Sequence, residues 1–355
     1  MQYAPTTAMF IITGNSLKAF EDFLSANGID SYRAKQVFYF VYKRVRFDFV
    51  EFSNLSKAVI DFLSVKCAVL SGEILQKLAS SRDKTTKFLI KLPDNNIIES
   101  VLLYAPGRRL TACISTQVGC AVSCPFCASG KHGFRRNLTT SEIISQYLLM
   151  RRFALEQGAD ITNIVFMGIG EPLFNYDNLV SAIDLLTDPI AADLPARRIT
   201  ISTSGVVPAI DKLALYKKQI ELSISLHSAF DKKRDALVPL NEKYSLKQLI
   251  PAVKRFISKT KRQITFEYVL LKGFNDTKED AAELARVLKG LHCKINLIPY
   301  NPAEGADFKP PTDRDVNKFT DLLAKNKIRV IRRQKKGVDI NSGCGQLKAS
   351  YLTGA

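Results

Sequence analysis

The sequence predicts an α/β fold: a partial TIM-like barrel of six β/α units, (β/α)6, preceded by a small helical domain and a short β-meander. Two observations support it. Strand-like apolar runs alternate with amphipathic helical segments from about residue 110, and polar residues gather where those runs end. Such alternation gives right-handed crossovers and a parallel sheet, with ligands at the carboxyl ends of the strands. We expect four segments, 1–73, 74–109, 110–335 and 336–355.

The first two segments differ in the spacing of their apolar residues. Between residues 15 and 70 these residues recur at helical spacing, and Asn27-Gly28 predicts a break between helices. From 74 to 105 the spacing changes to the alternation of strands, and Asp94-Asn95-Asn96 predicts the turn between two of them. The barrel is therefore expected to follow a helical module and a meander.

The third segment contains the repeated β/α units. Its predicted strands are 111–115, 163–167, 198–202, 221–226, 264–270 and 295–298. The amphipathic segments between and after them are 140–156, 178–187, 206–217, 245–259, 277–290 and 313–326. A further strand at 328–331 and a glycine-rich loop at 337–345 are expected at the end.

Charge and composition narrow the class of protein before any motif is considered. The 355 residues include 51 Lys and Arg and 34 Asp and Glu, which gives a net charge of +17. Such a field attracts polyanions, so nucleic acid is the expected partner, although solubility alone also favours a basic surface. Apolar stretches are of strand length and no basic segment leads into an apolar one at the start, so neither a membrane span nor an export signal is expected.

Three of the seven cysteines, Cys120, Cys124 and Cys127, follow one another closely in the first predicted βα connection. This spacing is typical of a metal site in a reducing cytoplasm rather than of a disulfide framework. Three thiolates can hold three irons of a 4Fe-4S cluster and leave the fourth iron open to a ligand that also reacts. The alternative is a closed zinc site with His132, in a zinc-stabilised RNA-binding protein without catalysis.

Polar groups follow several of the predicted barrel strands. Gly170 and Glu171 come after the second strand, where glycine permits close backbone approach and the carboxylate can accept hydrogen bonds from an ammonium group. Ser202, His227 and Asn301 end later strands. Because the carboxyl ends of barrel strands meet at one mouth, these groups are expected to face one pocket, although singly each is more often a cap or a structural residue.

Several runs of the sequence together resemble one family. They are 113–120 (CISTQVGC), 133–138 (GFRRNL), 170–173 (GEPL), 202–208 (STSGVVP), 225–227 (SLH), 266–270 (FEYVL) and 339–347 (DINSGCGQL). The chain is similar, over essentially its whole length, to the dual-specificity radical S-adenosylmethionine RNA methyltransferases, which methylate carbon 2 of adenine in 23S rRNA and certain tRNAs. Related enzymes of the Cfr type, which methylate carbon 8, are the alternative within the enzyme class. The Gly-Glu-Pro, Ser-Thr-Ser-Gly and Ile-Pro-Tyr-Asn-Pro runs favour carbon 2.

The resemblance implies a radical S-adenosylmethionine barrel with a 4Fe-4S cluster on the three clustered cysteines and two S-adenosylmethionine molecules per turnover. The first would methylate the Cys344 thiolate, a soft nucleophile. The second, reduced and split, would yield a radical that takes a hydrogen atom from this methyl group, and the carbon radical would add to adenine. Glu99 would then take the proton from carbon 2, and Cys113 would release the product by forming a disulfide with Cys344.

The same resemblance implies the other contacts and partners. The S-adenosylmethionine contacts would be Gly170, Glu171, Ser202, Ser225, Leu226, His227 and Asn301. The helical segment 1–73 would bind RNA, the substrates would be 23S rRNA and tRNA, and an electron donor such as flavodoxin would supply electrons. A cytoplasmic location is expected, with no membrane and no further protein partner.

A few positions depart from the family pattern, and several cations remain to be assigned. Ser129 stands where threonine is usual, 341–343 (Asn-Ser-Gly) replaces Asp-Ala-Ala, and Ala303-Glu304 replaces Phe-Pro, which bears on loop geometry. The basic groups at 43–46 and 332–336 are candidates for contact with RNA phosphates. Reversal of Arg332 and Arg333 to glutamate is therefore expected to weaken RNA binding.

Overall fold

The computed structural model describes residues 9–107, 109–131, 133–302 and 307–351. His132, the fourth ligand of the zinc alternative, lies outside the described residues, as does Ala303-Glu304. None of the helices in the described ranges has the length and apolar character needed to cross a membrane.

The helices follow the predicted order closely. The α-helices of the described residues are α1 (Leu17–Ala26), α2 (Arg33–Phe38), α3 (Lys57–Lys66), α4 (Ala128–Lys131), α5 (Thr140–Glu156), α6 (Tyr176–Thr187), α7 (Val207–Leu213), α8 (Asp231–Leu237), α9 (Leu246–Thr260), α10 (Lys278–Leu288) and α11 (Asp313–Lys325). One π-helical turn, Tyr39–Lys43, continues α2. The helix expected at 206–217 is shorter than predicted, and α8 was not predicted.

The strands form a small pair, a hairpin and one large sheet. They are β1 (Phe10–Ile11), β2 (Cys67–Ala68), β3 (Glu73–Ala79), β4 (Thr86–Lys91), β5 (Asn96–Ala105), β6 (Arg109–Cys113), β7 (Gln117–Gly119), β8 (Phe134–Asn137), β9 (Asn163–Phe166), β10 (Ile199–Thr203), β11 (Glu221–Ser225), β12 (Ile264–Leu270), β13 (Cys293–Pro299), β14 (Val330–Arg332) and β15 (Ser350–Tyr351).

The large sheet joins the barrel and the meander. Its order is β14-β13-β12-β11-β10-β9-β6-β5-β4-β3. β6 and the strands β9 to β14 pair with their neighbours in parallel and form the barrel part of the sheet. β3, β4, β5 and β6 pair antiparallel. Six β/α units followed by the short β14 confirm the predicted (β/α)6 partial barrel, and the meander extends its first edge. Near the end of the chain, β15 pairs with β5.

The amino-terminal helices pack around stacked aromatic rings and are bonded to the barrel. The rings of Phe10 and Phe23 lie 4.3 Å apart, and Phe20 stacks on both. Behind them, the Thr13 hydroxyl lies 2.9 Å from that of Ser141 on α5. The helical module is therefore fixed to the first helix of the barrel by both apolar packing and buried polar contacts.

Candidate active site

Two short paired strands lie on either side of the cysteine loop and fix where that loop begins. β7 and β8 pair antiparallel, and Cys120 donates its N–H to the Gly133 carbonyl at 3.1 Å. Gly119 has a φ of +75°, and a Cβ on it would lie 1.7 Å from the Gly133 oxygen. Because only glycine permits this approach, the hairpin determines the position of the first clustered cysteine.

The three clustered thiols line one cavity of about 150 Å³. Burial raises the pKa of Cys120 to about 12. Burial, followed by the charges of Cys127 and Cys120, also raises the pKa of Cys124. Negative charges on these sulfurs therefore repel one another. A bound metal group would favour the deprotonated cysteines, because metals bind the thiolate rather than the thiol.

The donor set fits an iron-sulfur cluster. Within the part of the chain that the structure describes, no group of three or more His, Cys, Asp or Glu side chains is positioned to hold a metal ion. The three thiols nevertheless open onto a single cavity that Gly170 and Glu171 also line. Three sulfur donors beside a polar pocket are what an iron-sulfur cluster with one open iron requires.

Glu171 is a buried acceptor whose position is set by backbone donors. Its side-chain oxygens accept the N–H groups of Leu173 at 3.1 Å and Ser204 at 2.7 Å. The side-chain carbonyl of Gln117 accepts the Glu171 N–H at 2.9 Å. Burial raises the pKa of Glu171. An ammonium group that entered this cavity would relieve the desolvation of the carboxylate.

His227 is held as a neutral ring at the same cavity. Its Nδ1 accepts the Val269 N–H at 3.1 Å, which leaves Nε2 as the protonated nitrogen. Burial, together with the charge of Arg234, lowers the pKa of His227 to about 3. Phe126, the residue before the third clustered cysteine, packs edge-on against the ring at 5.0 Å. His227 can therefore act as a donor but not as a cation.

Six of the seven expected S-adenosylmethionine contacts line the same cavity, and Leu226 does not. Gly170, Ser202, Ser225 and Asn301 line the cavity with Glu171 and His227. Leu226 is fully buried, and its N–H donates to the Glu267 carbonyl at 3.0 Å. The structure therefore brings the seven strand-end residues together from four different strand ends.

Arg234 organises these strand ends and was missed by the sequence analysis. Its guanidinium is fully buried and donates to the carbonyls of Ser204 at 2.6 Å, Leu226 at 3.1 Å and Ser225 at 3.2 Å. Three carbonyls from the ends of two neighbouring strands are thus held by one planar donor. A single arginine in the charged run that forms α8 gives no sequence signal of burial.

Cys344 lies in a loop that is bonded to the cysteine loop. Ala128 donates its N–H to the Gly345 carbonyl at 2.7 Å, and the Ser129 hydroxyl donates to the Leu347 carbonyl at 2.7 Å. Ser129 therefore keeps the hydroxyl of the threonine that is usual there. Cys344 lines the thiol cavity and also a second, larger cavity of about 1130 Å³.

The unusual 341–343 run is compatible with this loop. Asn341 has a φ of +48°, a left-handed conformation that asparagine tolerates. A Cβ on Gly343 would lie 2.7 Å from the side-chain nitrogen of Asn301, so glycine permits their close approach. The Ser342 hydroxyl donates to the Gly337 carbonyl at 3.1 Å. Each of the three replacements thus has a local structural role.

Cys113 lies near Cys344 and opens onto the larger cavity. It is on β6, opposite Val101 of β5, and is 7% exposed. Burial, with the charge of Cys344 as the next cause, raises the pKa of Cys113 to about 12. Both sulfurs line the larger cavity, and both cysteines are free thiols in the structure.

Glu99 forms a buried ion pair on β5, the strand that pairs with the Cys113 strand, and lines neither cavity. It shares a sheet face with Val101, and therefore with Cys113, because it lies two residues away on β5. Its Oε1 lies 3.0 Å from the ammonium of Lys87, and its Oε2 accepts the Lys348 N–H at 3.0 Å. Lys87, on β4, was not singled out by the sequence analysis, since its partner is distant in sequence.

Arg332 and Arg333 lie in different surroundings. Arg332 pairs with Asp313 at the surface. Arg333 instead lines both cavities, and electrostatic attraction from Cys344, and then from Glu267, raises its pKa. Arg333 is thus a half-buried cation of the site, and its expected contact with RNA phosphates stays a prediction.

Two family models match the chain. Residues 114–285 match the radical SAM superfamily, and residues 12–69 match the model described as the ribosomal RNA large subunit methyltransferase N-terminal domain. The first match covers the cysteine loop and the strand ends through β12. The second covers the helical module that was expected to precede the barrel.

Curated relatives match nearly the full length. The chain is 42% identical over 338 residues to the "Probable dual-specificity RNA methyltransferase RlmN" of Clostridium perfringens strain 13, covering 95% of this chain and 96% of that protein. This chain belongs to the RlmN family. The Thermotoga neapolitana RlmN relative is 45% identical over 325 residues, covering 92% and 93% of the two chains. The RlmN-family fold also matches a crystal structure of a radical SAM methyltransferase from Sphaerobacter thermophilus, with a TM-score of 0.93, 40% identity, and 96% and 99% coverage.

Membership confirms the predicted fold and family. The radical SAM superfamily uses a 4Fe-4S cluster and S-adenosylmethionine, and the RlmN family uses two S-adenosylmethionine molecules per turnover. The zinc-stabilised RNA-binding protein and the carbon 8 enzyme are not favoured by these comparisons.

Proposed function

We propose that this protein is a radical S-adenosylmethionine RNA methyltransferase that methylates carbon 2 of adenine in 23S rRNA and tRNA through a methylated Cys344. One observation carries the proposal: Cys344 lines the cavity of the clustered thiols and also the larger cavity that contains Cys113. A methyl group on this sulfur can therefore react with the cofactors in the smaller cavity and with a substrate in the larger one.

The residues around the smaller cavity have distinct roles in the proposed reaction. When bound, a 4Fe-4S cluster and S-adenosylmethionine would supply the methyl group and the one-electron cleavage needed for hydrogen-atom removal. Cys120, Cys124 and Cys127 would hold the cluster. Glu171 would accept hydrogen bonds from the ammonium of S-adenosylmethionine, and neutral His227 would donate one from Nε2.

The other expected contacts would position the cofactor by shape and backbone. Gly170, Ser202, Ser225, Leu226 and Asn301 surround or support the cavity at the strand ends. Gly170 has a φ of +105°, and a Cβ on it would lie 2.5 Å from Gln117, so this turn requires glycine.

The residues near the larger cavity would complete the transfer. Cys344 would carry the methyl group, because a thiolate is a good nucleophile toward a sulfonium carbon. Glu99 would take the proton from carbon 2, and the Cys113 thiolate would attack the Cys344 sulfur, which breaks the bond from that sulfur to the transferred carbon and forms a disulfide. The released carbon would take up a proton to become the methyl group, and the one electron left over from the radical adduct would pass to a bound cluster. The Cys113 proton must leave before this attack, since burial raises the pKa of Cys113 to about 12.

The same proposal assigns the partners and segments. The helical segment 1–73 would bind RNA, 74–109 would support the Cys344 loop, 110–335 would hold the cofactors, and 336–355 would carry the methyl-bearing cysteine. A cytoplasmic electron donor such as flavodoxin would reduce the cluster.

The deciding experiment compares Cys344→Ala with Cys293→Ala, a half-buried cysteine at the start of β13. Both are purified without oxygen and supplied with S-adenosylmethionine, reductant and RNA. We expect both to contain iron, and only Cys293→Ala to form 2-methyladenosine, measured by mass spectrometry of nucleosides against 2-methyl and 8-methyl standards. Product from Cys344→Ala would refute the role of Cys344, and 8-methyladenosine from the wild-type protein would favour the carbon 8 alternative.

A further inference from the structure

The interior of this barrel is a polar chamber. Barrel interiors are ordinarily filled by layers of bulky branched side chains. Here Thr200, Ser223, Thr265 and Asn296, from four consecutive strands, line the cavity of about 1130 Å³ that contains Cys113 and Cys344. A cavity of this size can admit a nucleoside.

The rim of this chamber carries strong positive charge. The cationic residues that line it, apart from the half-buried Arg333, are Arg109, Arg197, Arg198, Lys261, Arg262, Lys294, Lys335 and Lys336. Its acidic lining residues are Glu221 and Glu267. Among the described residues, Arg262 is the one rim cation that forms an ion pair, with Glu221. The remaining rim cations are therefore available to bind anions.

The rim lies mainly at the amino ends of the barrel strands. Arg109 begins β6, Arg197 and Arg198 form the turn before β10, Lys261 follows α9 just before β12, and Lys294 is near the start of β13. The cysteine loop follows the opposite, carboxyl ends. One cavity thus connects a cationic rim at one end with Cys113 and Cys344 further inside.

We propose that RNA phosphates bind this rim and that the target adenine reaches Cys344 through the barrel interior, from the amino ends of the strands. The identification of the target base as adenine rests on the proposed function, whereas the cationic rim and its cavity are features of the structure itself. A loop nucleotide that leaves its stack at a cost of a few kcal/mol can extend into the chamber while its flanking phosphates remain among the rim cations. The low-dielectric walls of the chamber concentrate the positive field at its entrance.

The first test reverses charge on the rim. Arg197→Glu/Arg198→Glu is compared with Lys247→Glu/Lys254→Glu, two exposed lysines on α9 that change the net charge equally. We expect the rim variant to bind a single-stranded substrate RNA at least about tenfold more weakly, and the control to bind within about twofold of wild type. Iron content should be unchanged in both. Equal losses in the two variants, or no loss in the rim variant, would overturn the proposal.

The second test blocks the interior route. Thr200→Phe fills part of the chamber next to the Ser202 strand end. The control is Thr200→Val, because valine has nearly the same size as the native threonine. We expect Thr200→Phe to bind RNA normally and to methylate its own Cys344, but to lose at least about tenfold in RNA methylation. RNA methylation at the wild-type rate by a folded Thr200→Phe variant would reject the interior route. If the wild-type protein formed no methylated adenine, the proposed function would fail while the RNA-binding test of the rim would still stand.

Discussion

At the scale of single residues, the proposed base is inseparable from a buried lysine. Lys87 and Glu99 are 6% and 4% exposed as whole residues, and the lysine also donates to the Asn341 carbonyl at 3.4 Å. Burial of two charges costs free energy that their attraction offsets only while both are present. Glu99 therefore depends on Lys87 to offset the cost of burying its carboxylate.

We expect Lys87→Met to lower the free energy of unfolding by about 3 kcal/mol, because it leaves the Glu99 carboxylate buried without its cation. The control is Lys91→Met on the same strand, whose pair with Glu73 is largely exposed and should contribute less than about 1 kcal/mol. Urea denaturation of the cofactor-free protein measures both. The double variant Lys87→Met/Glu99→Gln should recover most of the loss, and equal effects of Lys87→Met and Lys91→Met would contradict this account.

At the scale of elements, the meander holds the Cys344 loop. Asp83, in the turn between β3 and β4, accepts the Gly337 N–H at 2.8 Å. Asp339 accepts the Ser80 hydroxyl at 2.8 Å and the Ser81 N–H at 3.0 Å. These contacts fix both ends of the short turn that leads to Cys344.

We expect Asp339→Asn to loosen this loop, because the neutral amide accepts hydrogen bonds more weakly than the carboxylate. Trypsin should cleave after Lys335 and Lys336 several-fold faster than in wild type, and RNA methylation should fall while iron content is retained. The control is Asp321→Asn, an exposed residue on α11.

The anchoring by Asp339 also depends on pH. The hydrogen bond from Ser80 lowers the pKa of Asp339. The stability that Asp339 gives the loop is therefore fully present above the ordinary pKa range of aspartate and is lost only as pH falls through the lowered pKa. Unchanged cleavage in Asp339→Asn would disprove the anchoring role.

The elements also show which features local sequence can predict. The barrel strands and their helices were predicted because the spacing of apolar residues along each segment shows which of its faces is buried. The β7–β8 hairpin and α8 were not, because strands of three or four residues and a helix of seven contain too few periods. The clustered cysteines were evident from spacing, whereas Glu171 was identified from its place after a predicted strand and from the family resemblance. Arg234 and Lys87 were not, because their partners are brought together only by the fold.

At the scale of the whole molecule, part of the positive charge behind the net value of +17 lies around the larger cavity. Many surface cations are paired, including Arg136 with Asp94 and Arg255 with Asp211. The rim cations other than Arg262 lack an ion pair among the described residues. Seven cations without an ion pair among the described residues thus surround one cavity, where they can steer a polyanion toward the reacting thiols.

This distribution predicts how RNA affinity depends on salt. Each phosphate contact to single-stranded nucleic acid contributes about −0.7 to the slope of log affinity against log salt concentration, so seven unpaired rim cations set a limit of about −5. We expect a slope of about −3 to −5 for the wild-type protein, measured from about 50 to 200 mM salt. Neutralising the rim with Arg197→Gln/Arg198→Gln should make the slope shallower by about 1.4, and Lys247→Gln/Lys254→Gln should leave it unchanged. A slope near zero would show that phosphates do not bind the rim, and an equal change in both variants would show that RNA responds to net charge alone.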